Sequence, residues 1–104
     1  MDRVRSALFS IVGQDLEGIR VIDLFAGTDS LGIEALSRGA EHAVFVESDP
    51  SAIESIRHNL ERARLANRAQ IILSDVFNFL GSPVPPAHLI LADPPFLKQL
   101  EIGR

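Results

Sequence analysis

Asp93-Pro94-Pro95-Phe96, directly behind the apolar run Leu89-Ile90-Leu91-Ala92, puts a carboxylate, a stiff carbonyl-bearing backbone and an aromatic ring into four residues. The chemistry this set suits is the handling of a planar amine. Pro94 pushes Asp93 out of the helical region, and Pro95 fixes its own φ and lacks an N–H, so the tetrapeptide leaves a strand as a stiff, acceptor-rich loop. Its oxygens can accept both protons of an exocyclic amine while Phe96 stacks on the base that carries it. The competing structural reading is a strand that stops at two prolines with a buried Phe behind it. What else the fold brings to the same place decides between them.

A second segment, Gly27-Thr28-Asp29-Ser30-Leu31-Gly32, has the frame of a dinucleotide fingerprint with Asp29 at its middle glycine position. In a dinucleotide site that glycine lets the backbone approach a pyrophosphate, and a carboxylate some ~4 Å from a phosphate charge costs about 4 kcal/mol at an effective dielectric near ~20. NAD and FAD are therefore disfavoured. S-adenosylmethionine carries no phosphate and bears a sulfonium and an ammonium, so an acid beside this turn suits it better. Asp29 can equally cap the helix that follows, and the two roles are compatible. Glu47, followed by Ser48, stands 20 positions after Gly27, the separation at which an acid reaches a ribose diol in nucleotide-binding βαβ units. Asp75, followed by Val76, can accept from an adenine amine or cap a short helix. His42, His58 and His88 show no metal-ligand spacing and are expected on the surface; no metal site is expected.

These residues must be positioned by the elements between them. Val4, Ala7, Leu8, Ile11 and Val12 form one apolar helical face, so a first helix is expected over residues 3–12. A buried strand is expected over 20–25, a helix over 30–38 ended by Gly39, and a second strand over 43–46. Asp49-Pro50 reads as an N-cap and first-turn proline, and Ile53, Ile56, Leu60 and Ala63 supply the buried stripe of the helix behind it. A third strand over 70–73, a short helix over 76–80 and a fourth strand over 87–92 complete the series. Alternation of this kind implies an α/β fold with parallel βαβ units and ligands bound beyond the carboxyl ends of the strands. Asp23, Phe25, Ala26 and Gly27 belong to the end of strand one and the turn behind it, Glu47 and Ser48 to strand two, Asp75 and Val76 to strand three, and Asp93 to Phe96 to strand four. Four polar clusters on one rim make a site.

The 104 residues set the scale of one domain, with 46% hydrophobic and 23% charged residues. No continuous apolar stretch reaches the length of a membrane span, and without cysteine neither a disulfide nor a thiolate metal site can form. A cytoplasmic location is expected. The formal charge of −4 gives no general attraction to nucleic acid, although Arg57, Arg62, Arg64 and Arg68 are close enough in sequence to share a basic helix face.

Taken together, Asp23-Leu24-Phe25-Ala26-Gly27, the segment from Leu31 to Ala40, Phe45-Val46-Glu47 and Asp93-Pro94-Pro95-Phe96 resemble the bacterial 16S rRNA (guanine-N2)-methyltransferases. The similarity runs from Arg3-Val4-Arg5 to Phe96. It implies a Rossmann-like fold with strand order 3-2-1-4, S-adenosylmethionine as cofactor, and 16S rRNA or the small ribosomal subunit as partner. It also implies Asp23 and Gly27 near the methionine moiety, Glu47 at the ribose, Asp75 at the adenine, and Asp93 to Phe96 at the target amine. Two departures stand out: Asp29 replaces the usual second glycine, and the chain is expected to be a partial domain lacking the usual C-terminal strands. Strand four would then expose an apolar edge and favour self-association. The alternatives are a noncatalytic methyltransferase-like domain, or the same chemistry directed at adenine N6 or a protein amide.

Overall fold

The computed structural model describes residues 16–24, 26 and 31–92. The helix expected over 3–12, the turn residues Phe25, Gly27 and Asp29, and Asp93 to Phe96 lie outside the described residues. Among the described residues, four strands and three helices alternate: β1 (Arg20–Leu24), α1 (Leu31–Ser37), β2 (His42–Glu47), α2 (Pro50–Arg62), a 3-10 turn (Ala66–Arg68), β3 (Ala69–Leu73), α3 (Val76–Leu80) and β4 (Leu89–Ala92). The strands form one sheet in the order β3-β2-β1-β4 with every pairing parallel, the arrangement of a Rossmann-like methyltransferase fold.

β1 is flanked by β2 and β4 and, as expected for a strand covered on both faces, has no exposed residue. Period-two alternation sorts its side chains. Val21 joins Phe45, Ala35, Ile56 and Leu91 in the larger core cluster, on the face covered by α1 and α2, whereas Ile22 and Leu24 join Val44, Val46, Val76 and Phe79 on the α3 face. Asp23 follows the first set: it is paired in register with Phe45 and is 1% exposed.

Both longer helices end in the same way. At the end of α1, Ala40 N–H donates to Ala35 O at 3.1 Å and Gly39 N–H to Leu36 O at 3.0 Å; at the end of α2, Leu65 N–H donates to Leu60 O at 2.8 Å and Arg64 N–H to Glu61 O at 3.1 Å. These are Schellman closures, which need a left-handed residue after the cap. Gly39 supplies it in the first (φ 105°) and Arg64, a non-glycine, in the second (φ 61°).

Three sequence expectations are corrected. Ala63 is exposed at the C-cap of α2, and the reversal behind it returns Leu65 to the core instead, while Ala52 joins Ile53, Ile56 and Leu60 on the buried face. Arg68 leaves the basic helix face: its Nη1 donates to Ala40 O at 2.8 Å and its Nη2 to Leu36 O at 3.0 Å, so it closes the carboxyl end of α1. β4 begins at Leu89, not at residue 87. Pro85 and Pro86 have no N–H, and Arg20 N–H is taken by the His88 imidazole Nδ1 at 3.0 Å while His88 N–H donates to Arg20 O at 2.8 Å. His88 is exposed, as expected, yet it closes the first rung between β1 and β4.

Candidate active site

The carboxyl ends of β1, β2 and β3 lie side by side, and backbone hydrogen bonds lace the segments that leave them. Ala26 N–H donates to Val46 O at 3.1 Å, and Ser74 N–H to Glu47 O at 3.0 Å. The second residue after β1, the last two residues of β2 and the residue after β3 are thereby tied together. Parallel sheets bind ligands at this edge.

Asp23 is the buried acid of the rim. Its Oδ2 accepts the Gly32 N–H at 2.7 Å, so the carboxylate takes up one of the otherwise unsatisfied donors at the start of α1 and ties that helix to β1. A Cβ on Gly32 would meet Phe45 Cε1 at 2.5 Å and Asp23 Oδ2 at 3.0 Å. Gly32 therefore performs the close helix-to-strand packing expected of the last glycine in such a fingerprint. Sequence reading assigned Asp23 to the cofactor; the structure adds this anchoring bond, for which the nine-residue separation of the partners leaves no local pattern.

Glu47, half-buried at the end of β2, accepts from Ser48 N–H at 3.1 Å and from Asp49 N–H at 2.9 Å, both on Oε2. The carboxylate is thus aimed by its own loop. Ser48 is exposed beside it, and Asp49 caps α2 as expected, its Oδ1 accepting from Ser51 N–H at 3.0 Å. Asp75 is exposed at the end of β3 and caps α3. Its Oδ1 accepts Asn78 N–H at 2.8 Å and its Oδ2 accepts Asn78 Nδ2–H at 2.7 Å, so Asn78 holds both carboxylate oxygens. Asn78 was not singled out in the sequence, although an acid three residues before it is a capping spacing. Val76, next to Asp75, is buried in the α3-side cluster, and Ala26 is buried under the rim.

The structure therefore brings together Asp23, Ala26, Glu47, Ser48, Asp75 and Val76 along three adjacent strand ends. The remaining expected site residues, Phe25, Gly27 and Asp93 to Phe96, lie outside the described residues. Among the described residues, no cluster of three or more His, Asp or Glu side chains is disposed to hold a metal ion.

The chain is similar to known proteins over most of its length. Residues 1–103 match the family model described as "Conserved hypothetical protein 95". The chain is 39% identical over 101 residues to "Putative rRNA methyltransferase YlbH" of Bacillus subtilis (strain 168), covering 94% of this chain and 55% of that protein. It is 34% identical over 99 residues to "Ribosomal RNA small subunit methyltransferase D" of Escherichia coli (strain K12), covering 95% of this chain and 50% of that protein. Among solved structures, a Thermus thermophilus 16S rRNA N2 guanine methyltransferase in complex with AdoMet and guanosine superposes with a TM-score of 0.75 at 33% identity, over 88% of this chain and 24% of that one. The chain thus spans about half the length of the curated relatives it matches. By its sequence over residues 1–103 and by its fold, the chain belongs to the conserved hypothetical protein 95 family, alongside proteins named as rRNA methyltransferases.

Proposed function

We propose that this chain forms the cofactor-binding part of an S-adenosylmethionine-dependent RNA methyltransferase whose methyl acceptor is the exocyclic N2 amine of a guanine in 16S rRNA. One observation carries the reading: a half-buried carboxylate, Glu47, stands at the end of β2 with Oε2 pre-set by two backbone N–H groups, between the ends of β1 and β3. A carboxylate has about four acceptor sites, so an aimed Glu47 suits a ribose diol. Asn78 occupies one position on each Asp75 oxygen, which leaves Asp75 able to accept from an adenine amine as well. This set of acceptors fits the hydroxyl and amine protons of a nucleoside better than a phosphate, which two acids at the rim would repel. The relatives' names, and the guanosine in the Thermus structure, support the choice of substrate.

When bound, the cofactor supplies a methyl carbon made electrophilic by its sulfonium. The chain's own part is positioning. Asp23 anchors α1 behind the cofactor turn, Glu47 and Asp75 orient the nucleoside, and Asp93 with the Pro94 carbonyl accepts the protons of an amine whose lone pair is otherwise delocalised into the base. Phe96 stacks on the base. With the cofactor bound, the methyl group would pass from sulfur to the amine nitrogen, and the Asp93 carboxylate would take the proton that the amine gives up.

Calorimetric titration of the chain with S-adenosylmethionine tests the first half of the reading, with saturable binding expected and none expected of a noncatalytic remnant. Transfer assays with naked rRNA, assembled small subunits, DNA and protein test the second half. Asp93→Ala is expected to abolish transfer and leave cofactor binding intact. We further propose self-association across β4, whose Ile90 is 55% exposed at the sheet edge; a monomer in sedimentation at high concentration excludes it.

A further inference from the structure

Two aspartates cap helices along this rim, and their carboxylates are held differently. Asp49 uses a single oxygen: its Oδ1 accepts both Ser51 N–H and Ser51 Oγ–H, each at 3.0 Å. Asp75 is gripped on both, with Asn78 N–H on Oδ1 at 2.8 Å and Asn78 Nδ2–H on Oδ2 at 2.7 Å. The backbone bond alone completes the cap, so the amide bond to Oδ2 goes beyond what α3 requires. An aspartate carboxylate turns easily about its last torsion, and one donor on each oxygen fixes its plane. The backbone behind it is fixed as well. Ser74 N–H donates to Glu47 O at 3.0 Å, while Ser74 Oγ–H at 2.8 Å and Phe79 N–H at 3.1 Å both donate to Asp75 O. Asp75 is thus set beside Glu47, whose own Oε2 is held by the N–H groups of Ser48 and Asp49.

We propose that Asn78 is a positioning residue for recognition of the cofactor's base: by holding Oδ2 it sets the plane in which the open acceptor positions of Asp75 take a 6-aminopurine and refuse its 6-oxo counterpart. The inference rests on the cofactor reading above and adds to it the residue that makes Asp75 selective. An amine at the 6-position brings protons to the carboxylate, whereas a carbonyl there sets lone pairs against lone pairs. A carboxylate free to turn loses part of that distinction, because it can swing away from the carbonyl and back to water. Asn78 acts through Asp75 and not by touching the base. Both residues are exposed, so removing the amide leaves the core intact.

The test is calorimetric titration of the full 104-residue chain with S-adenosylhomocysteine and with S-inosylhomocysteine, its 6-oxo counterpart, comparing the parent with N78A and N78L. The parent is expected to prefer the amino form by about tenfold or more. N78A keeps the backbone cap and loses the clamp: affinity for S-adenosylhomocysteine falls roughly 3- to 10-fold, affinity for S-inosylhomocysteine is unchanged or rises, and the preference narrows. N78L, which restores the volume without a donor, behaves like N78A. Urea midpoints of both variants stay close to that of the parent, because the Oδ1 bond comes from the backbone. An N78A that binds both ligands like the parent overturns the proposal, and so does one that loses affinity for both alike, which is what a merely structural role would give. A parent that does not distinguish the two ligands overturns it through Asp75. All three results leave the cofactor reading standing, whereas a parent that binds neither ligand overturns that reading and this inference with it.

Discussion

The carboxylate of Asp23 and the backbone N–H of Gly32 meet at 2.7 Å inside the protein, joining the central strand to the first turn of α1. Phe45, fully buried, closes the space above the glycine, and its ring cannot swing aside into solvent. Gly32→Ala is therefore expected to cost about 1–3 kcal/mol through overpacking, more than the ordinary gain from replacing a helical glycine. Asp23→Ala leaves a buried N–H unsatisfied and is expected to cost about 1–3 kcal/mol. Urea denaturation measures both; an unchanged midpoint in Gly32→Ala contradicts the packing described.

Glu47 is expected to govern cofactor affinity without governing stability. Glu47→Gln keeps a carbonyl acceptor but loses the charge that strengthens its bonds to Ser48 and Asp49, and S-adenosylmethionine affinity should fall about tenfold or more. Asp49→Ala serves as the contrast: it removes the α2 cap, lowers stability by about 1 kcal/mol and leaves affinity close to that of the parent. Calorimetry and denaturation run on both variants separate the two effects.

Arg64 holds φ at 61°, a conformation that glycine adopts without steric cost. Arg64→Gly should raise stability by about 0.5–1 kcal/mol, against the usual direction for a glycine substitution. Gly39→Ala should lower it by about 1 kcal/mol, from backbone strain alone, since a Cβ there meets nothing closer than Glu17 N at 3.7 Å. Opposite shifts in thermal midpoint are the expected outcome.

Two arginines from the same stretch should behave differently. Arg68→Ala forfeits two charge-assisted bonds to Leu36 O and Ala40 O and is expected to cost about 1.5–3 kcal/mol, with Arg68→Lys recovering only part because an ammonium cannot span both carbonyls in a fork. Arg57 pairs with Glu54 on the exposed side of α2, and Arg57→Ala should stay within about 0.5 kcal/mol of the parent. Denaturant midpoints of the three variants check the ranking.

The elements that place the site are those with local signatures. Asp49-Pro50 marks the start of α2, Gly39 the end of α1, and the β-branched runs around Val21, Val44 and Ile71 mark strands buried by their neighbours. Parallel order follows from alternation of strand and helix together with the family resemblance, and the pairing registers agree with it. What escaped depends on partners distant in sequence. Arg68 finds its carbonyls 28 and 32 residues away, and the His88 imidazole replaces a strand carbonyl for Arg20 across 68 residues. Ala63 was misplaced for a different reason. The chain turns left-handed at Arg64, so the helical period that predicted its burial stops one residue too early.

The contact between Gly32 and Phe45 also makes these two positions a single unit of variation. A methyl group at 32 requires a smaller side chain at 45, and a smaller residue at 45 alone leaves a void that a methyl at 32 partly fills. Homologous chains should therefore exchange Gly–Phe for Ala–Leu or Ala–Val as a pair, and a library that randomises the two together should recover folded combinations that neither position yields by itself.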